Sequence, residues 1–361
     1  MEEDRRKKAT IKDIAREAGV SPAAVSLILN DRPCRITEEK KQRVREVARQ
    51  KNYVVNQAAK CLATRRSDML ALILPDIENT FFSSLAKQIE NRCRREGYSL
   101  IVAGSDDRKE NDRKLLRVLE SRGVDGIFLI LSNEFLECRA EFLKELKLLT
   151  MPYIMIDRTF PDADCCRVSF DHEQGGYLAA KYLLEQGHRK IGCVYRDDKA
   201  GSGKSRLDGY VRALREFGVR VQRKYLKEGD YRMESGYLAA QALLETDATA
   251  AFVCNDMMTL GFLRRLYEKK LQIPADYSIV SYDDSLQNYL FGVELTTVVQ
   301  EIGTLADEAC RLMFCRLRGE PVGSEVILPP QLRIRGSVRA EKPAKKPGCF
   351  LRERSGEGRG I

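Results

Sequence analysis

Along the middle of this chain, polar side chains stand at the ends of apolar runs. Asp76 follows ALILP, Asp157 and Arg158 follow YIMI, Arg196 follows GCVY, Asn255 and Asp256 follow AFVC, and Asp283 and Asp284 follow SIVSY. In open parallel sheets ligands bind just beyond the carboxyl ends of the strands, so these residues are candidates to line one cleft. Carboxylates accept from hydroxyls and arginines donate in a fixed fork, while Phe81 and Phe82 offer flat apolar rings. That mixture suits a polyhydroxylated ligand. Each aspartate taken alone has a plainer role open to it, capping the next helix, as Asp256 would for a helix from Met257. The whole set is harder to explain in that way.

Catalytic patterns are thin. GSGKS at 201–205 follows a strand and opens a helix, as a phosphate-cradling loop does, but the full pattern needs glycine at 198, where aspartate stands. No Ser/His/Asp set stands out, so a small-molecule kinase or hydrolase lacks both a complete phosphate loop and a base. The sequence points to a non-enzyme. Its imidazoles are His172 and His188, the latter in a Gly-His-Arg turn that reads as structural, and no zinc site or other cofactor is expected. Eleven cysteines, odd in number, irregularly spaced and without C-x-x-C, read as free thiols of a reducing cytoplasm. A charged start, MEEDRRKKAT, and the lack of any run of 18 apolar residues argue against export and membrane spanning.

From Met69 onward the elements that must position the cleft residues alternate. Strands are predicted at 69–75, 98–104, 126–131, 153–157, 190–195, 250–255 and 277–283, with helices starting near Phe81, Arg108, Glu134, Glu173, Lys204, Met233, Asp256 and Glu301. Continuous apolar strands separated by helices predict parallel sheets covered on both faces. They are too many for one ordinary domain and divide near residues 165–169. The body is expected to have two lobes.

The N-terminal segment TIKDIAREAGVSPAAVSLILN has a different grammar. Thr10 caps a helix from Ile11 to about Ala18, with Asp13 at its positive end, and Gly19 supplies the left-handed exit. Ser21 and Pro22 then open a second helix. Val25, Ile28 and Leu29 bury one side of it, leaving Ser21, Ala23, Ser26 and Leu27 on the other, small enough to enter a major groove. A third helix starts at Thr37 and buries Val44, Val47 and Ala48. A generic three-helix bundle would share this pattern. Charge distribution favours the DNA-reading helix-turn-helix: residues 1–66 hold 17 Lys and Arg against 9 Asp and Glu, the tail from Glu341 holds 6 against 3, and the body between is near neutral.

The linker NQAAKCLATRRS contributes Asn56, Ala59, Leu62 and Ala63 at helical spacing. With this segment, the order of IKDIAREAGVSPAAVS, NxxAxxLATRRS, PDIENTFF, MIDR, RLDGY, CNDMMTLG and YDDS with LTTVVQ resembles the LacI/GalR family of bacterial transcriptional repressors, from about 9 to 338. The resemblance implies an all-α helix-turn-helix head at 9–55, a hinge at 56–66, and an α/β two-lobed periplasmic-binding-protein-like body with parallel sheets at 69–338. Lobe one is expected from about 69–166 and 291–320, lobe two from about 167–290 and 321–338, followed by a disordered basic tail at 341–361. It further implies a homodimer on a pseudo-palindromic double-stranded operator, contacted by Thr10, Ser21, Pro22, Ala23, Ser26, Leu27, Asn30, Asn56, Ala59 and Leu62. The hinge would fold on DNA and wedge Leu62 into the minor groove. A sugar or sugar phosphate held by Phe81, Phe82, Asp157, Arg158, Arg196, Arg206, Asn255, Asp256 and Asp283 would set operator affinity.

Two departures from the family pattern matter. Ala24 and Leu27 replace a threonine and a basic residue common in the recognition helix, so thymine-methyl contacts and DNA shape carry more of the readout. Val55 stands where the hinge asparagine is usually preceded by proline. Within the same DNA role, a purine effector or a protein corepressor remains open.

Overall fold

The computed structural model describes residues 9–30, 33–53, 66–159, 165–197 and 201–341, apart from the side chains of Leu136, Glu137, Arg139 and Glu141. The hinge residues Asn56, Ala59 and Leu62 and the tail beyond Glu341 lie outside these. The chain divides into two compact units, Met1–Ser67 and Asp68–Ile361.

The first unit holds three helices, α1 (Ile11–Ala18), α2 (Pro22–Leu29) and α3 (Glu38–Gln50). Thr10 and Asp13 form a reciprocal capping box at the start of α1, and Gly19 ends it at φ 64°, a backbone conformation in which side chains are strained. Ser21 caps α2 through its hydroxyl, which accepts from the Ala24 amide at 3.1 Å. Thr37 sits at the N-cap of α3 but makes no side-chain cap bond there. Ile14, Ala15, Val25, Ile28, Val44, Val47 and Ala48 form the core between the helices.

The second unit contains two six-stranded sheets. In chain order its elements are β1 (Met69–Leu74), α4 (Thr80–Arg95), β2 (Ser99–Gly104), α5 (Lys109–Ser121), β3 (Gly126–Leu129), α6 (Asn133–Glu137), α7 (Arg139–Leu146), β4 (Tyr153–Ile156), β5 (Cys166–Phe170) and α8 (His172–Glu185). Then come β6 (Ile191–Tyr195), α9 (Ser202–Glu216), β7 (Leu226–Glu228), α10 (Met233–Leu244), β8 (Ala250–Val253), α11 (Asp256–Glu268), β9 (Ser278–Asp283), β10 (Thr296–Val299), α12 (Ile302–Arg318), β11 (Glu325–Leu328) and β12 (Gln331–Arg333). Sheet order is β11-β5-β4-β3-β1-β2 in lobe one and β12-β10-β9-β8-β6-β7 in lobe two. All pairings are parallel except that of β12 with β10. The apolar runs follow from burial on both faces: Leu70, Leu72 and Leu74 of β1 pack in one core, Ala71 and Ile73 in another. Each fully buried leucine contributes about 1.5–3 kcal/mol relative to exposure.

Topology corrects the expected lobe limits. β5 pairs with β4 and β11 and so belongs to lobe one, whereas β10 pairs with β9 in lobe two. The chain therefore changes lobe at three places: between β5 and α8, between β10 and α12, and between β11 and β12. The boundary expected at 165–169 falls on β5 itself. Its alternating CRVSF has a half-buried serine and an arginine, so it lacks the continuous apolar character of the other strands.

Candidate functional site

A cleft opens where the carboxyl ends of both sheets face each other, lined by Asn79, Phe81, Phe82, Asp157, Arg158, Ser202, Arg206, Tyr231, Asn255, Asp283 and Gln300. Of the candidates read from the sequence, Phe81, Phe82, Asp157, Arg158, Arg206, Asn255 and Asp283 meet here. Arg196 and Asp256 are outside the lining.

Lobe one supplies the first wall. Asn79 caps α4 and accepts from the Phe81 amide at 3.0 Å, fixing the turn from which Phe81 and Phe82 project, their rings edge to face at 5.5 Å. Asp157 and Arg158 follow β4. Arg158, only 5% exposed, donates from Nη1 to Asp107 Oδ1 at 2.8 Å and to the Leu131 carbonyl at 2.9 Å. Its guanidinium lies 5.4 Å from the Phe82 ring centre and 5.9 Å from that of Tyr231 in lobe two.

Lobe two supplies the second wall. Arg206 on α9 is 4% exposed, donates to the Cys254 carbonyl, and stacks 3.8 Å from the centre of the Tyr282 ring. Burial works against its charge, but Tyr282, Tyr231, Asp283 and Asp157 outweigh that and hold its pKa above the ordinary arginine value. His172 opens α8 behind it, with Nδ1 3.3 Å from Arg206 Nη2. An arginine can only donate, so Nδ1 accepts and the ring proton sits on Nε2, which is 3.5 Å from Asp157 Oδ1 without forming a hydrogen bond to it. Burial first, and the Arg206 charge second, push His172 down to about 4. It is a neutral imidazole at pH 7.

Asn255 caps α11 by accepting from the Met258 amide, and its Nδ2 donates at 3.1 Å to the Tyr231 carbonyl. Asp283 ends β9 at φ 96° and accepts from Gln300 Nε2 at 2.8 Å. Burial raises its pKa, and burial together with the Asp283 charge raises that of Asp256. Asp256, however, is spent on its own lobe. It accepts from Ser281 Oγ at 3.0 Å, the Ser285 amide at 2.6 Å, Ser285 Oγ at 2.8 Å and the Leu286 amide at 3.2 Å. Two further strand-end acids also stabilise loops: Asp76 accepts from the Glu78 amide, and Asp284 pairs with Arg333 and Arg335. Half-buried Arg196 follows β6 without reaching the cleft lining.

Asn79, Ser202, Tyr231 and Gln300 were not anticipated. Asn79 and Gln300 were inside quoted landmarks, PDIENTFF and LTTVVQ, and could have been taken from them. Tyr231 had no such signal, because it follows the three-residue strand β7, too short to stand out. Ser202 belongs to the GSGKS string, where its hydroxyl lies 3.3 Å from that of Tyr231, while Lys204 pairs with Asp208 on the same helix.

In the N-terminal unit, Ser21, Pro22 and Ala23 are exposed at the start of α2, Ser26 and Leu27 are half-buried beside them, and Ala24 turns inward. Thr10 is exposed at the start of α1, and Asn30 closes α2 by donating to the Ser26 carbonyl at 2.8 Å. The α2 face is small and nearly uncharged. Exposed Arg43 and Arg49 and half-buried Arg45 lie on α3.

Residues 10–56 match the family described as bacterial regulatory proteins, lacI family, and residues 180–338 match a periplasmic binding protein-like domain. The chain is 32% identical over 334 residues to an HTH-type transcriptional repressor PurR from Mannheimia succiniciproducens, spanning 92% of this chain and 99% of that one. Among solved structures it is similar to a lac repressor dimer bound to operator and the anti-inducer ONPF, with a TM-score of 0.81, 25% identity, and coverage of 92% and 100% of the two chains. It is also similar to a LacI family regulator from Enterococcus faecium with bound ribose, with a TM-score of 0.68, 30% identity, and coverage of 76% and 100%. Head, two-lobed body and cleft thus agree with likeness along almost the whole length: the chain belongs to the LacI family of bacterial regulatory proteins, DNA-binding transcriptional regulators governed by small-molecule effectors.

Proposed function

We propose that this protein is a homodimeric, sequence-specific repressor whose operator affinity is set by a monosaccharide bound between the two lobes. The observation that carries the sugar reading is a set of buried polar atoms in cleft-lining side chains that have no hydrogen-bond partner among the described residues: Asp157 Oδ1, Arg206 Nε and Gln300 Oε1. Leaving such groups unsatisfied costs about 1–3 kcal/mol each. Two acceptors and one donor, in a cleft also lined by Phe82 and Tyr231, complement a ring compound with several hydroxyls, each of which both donates and accepts. The structurally similar Enterococcus faecium regulator with bound ribose supports the same class.

Dimerisation is supported by the lac repressor dimer, whose fold this chain shares, and operator contact by the exposed start of α2 beside a basic α3. A regulator acts on its gene by binding DNA unequally in its liganded and free forms, so effector and operator affinities are reciprocally linked. Differential scanning fluorimetry against neutral pentoses and hexoses, their phosphates, and purine bases tests the effector class. A neutral monosaccharide is expected to raise the melting temperature in a concentration-dependent way. Stabilisation by purines alone would overturn the sugar reading.

A further inference from the structure

Asp256 follows the cleft residue Asn255 and yet makes none of the lining. It is 2% exposed and gathers four hydrogen bonds, three of them from Ser285 and Leu286. The segment it holds begins with Asp283 and Asp284 at φ 96° and 65°, two successive non-glycine residues in the left-handed region. Such backbone persists only where its surroundings over-determine it, and the Asp256 carboxylate does so here. The outer end of this loop meets the other lobe, with Ser285 Oγ 2.6 Å from Thr80 Oγ1 at the start of α4. Since the Ser285 proton goes to the Asp256 carboxylate, Thr80 is the donor and Ser285 the acceptor in the contact between lobes.

We propose that Asp256, Ser285 and Thr80 form an interlobe latch in which Asp256 is a positioning residue that presents Ser285 to Thr80 and so stabilises the closed arrangement of the lobes. Its placement ties it to the effector site at both ends. On one side, Asp283 of the cleft accepts from the Asp256 amide at 3.4 Å. On the other, Thr80 is followed by Phe81 and Phe82, two of the lining rings. Lobe closure around a ligand therefore makes this contact together with the cleft. That consequence rests on the effector reading above, whereas the latch itself rests only on the geometry.

Hydrogen–deuterium exchange on the full-length protein tests it without any ligand. Thr80→Val removes the donor at nearly constant volume, and Thr80→Ser keeps it. In Thr80→Val the amides of Ser285 and Leu286 are expected to exchange about fivefold faster than in the parent, the factor that corresponds to one ordinary hydrogen bond. Thr80→Ser should restore the parental rate. Equal exchange in Thr80→Val and the parent, or equal acceleration in both variants, would overturn the latch. A second arm titrates D-ribose by calorimetry. If the sugar binds, Thr80→Val should weaken it about fivefold and Thr80→Ser should not; if it binds none of the three proteins, the ribose reading fails while the exchange result still decides the latch.

Discussion

Arg206 shows how little freedom the cleft residues have. Its guanidinium is fixed by the Cys254 carbonyl, the His172 ring and the face of Tyr282, and its Nε has no hydrogen-bond partner among the described residues. A lysine would keep the charge and lose the stacked plane and the fork. Arg206→Lys is expected to weaken the effector by about tenfold or more, roughly 1.4 kcal/mol, with unchanged DNA binding in the absence of ligand. Calorimetric titration and fluorescence anisotropy check the two halves. His172 makes a pH prediction. The folded ring stays neutral down to about 4, whereas an unfolded histidine takes up a proton near 6.5. The unfolded chain binds more protons in that window, so the stability His172 contributes above pH 6.5 is lost as pH falls toward 4, up to roughly 3 kcal/mol. His172→Gln should remove this component: the stability difference between parent and variant, measured by urea unfolding, should shift against the parent between pH 6.5 and 4.5. A pH-independent difference would contradict the buried neutral ring.

Helix contacts carry the next set of constraints. α8 and α9 approach so closely that a Cβ on Gly176 would stand 1.9 Å from the Arg206 carbonyl oxygen, and one on Gly209 the same distance from that of Glu173. α8 carries His172 and α9 carries Arg206, so this spacing sets the second wall of the cleft. Gly176→Ala should cost about 1–3 kcal/mol or more and lower the melting temperature by several degrees. Gly104→Ala is the control, since nothing lies within 4 Å of its Cβ and the change should stay within about 0.5 kcal/mol. At this scale the sequence was most legible where periodicity was strong. The capping box at Thr10, the Gly19 exit and the Ser21-Pro22 start are local chemistry and could be read directly. Strands buried on both faces announced themselves as apolar runs. β5, β7, β10, β11 and β12 did not, because they are short, at or near sheet edges, or rich in threonine and charge, and it is their pairing that decides which lobe they join. For the same reason Asp256 was legible as a strand-end acid but not as the holder of the Ser285 loop, a role that depends on residues 25–30 positions away.

Across the whole molecule, positive charge is concentrated in the first 66 residues, and the body is near neutral. DNA affinity should therefore fall linearly with rising salt on logarithmic axes, for random and selected sequences alike, through release of counterions from phosphate. Preference for a selected operator should depend instead on the small face of α2. Leu27→Ala is expected to cost about 1–3 kcal/mol on the operator and little on random DNA, compared by anisotropy at one salt concentration. No helix among the described residues is long and apolar enough to cross a membrane. Occupancy of the cleft is expected to change the grip on DNA. The most direct test is the operator dissociation constant of the full-length protein, measured at fixed salt with and without a saturating amount of the monosaccharide that stabilises it. A change of about tenfold or more, absent with random DNA and absent in Arg206→Ala, is the predicted result. Identical operator affinity with the cleft empty and filled would contradict it.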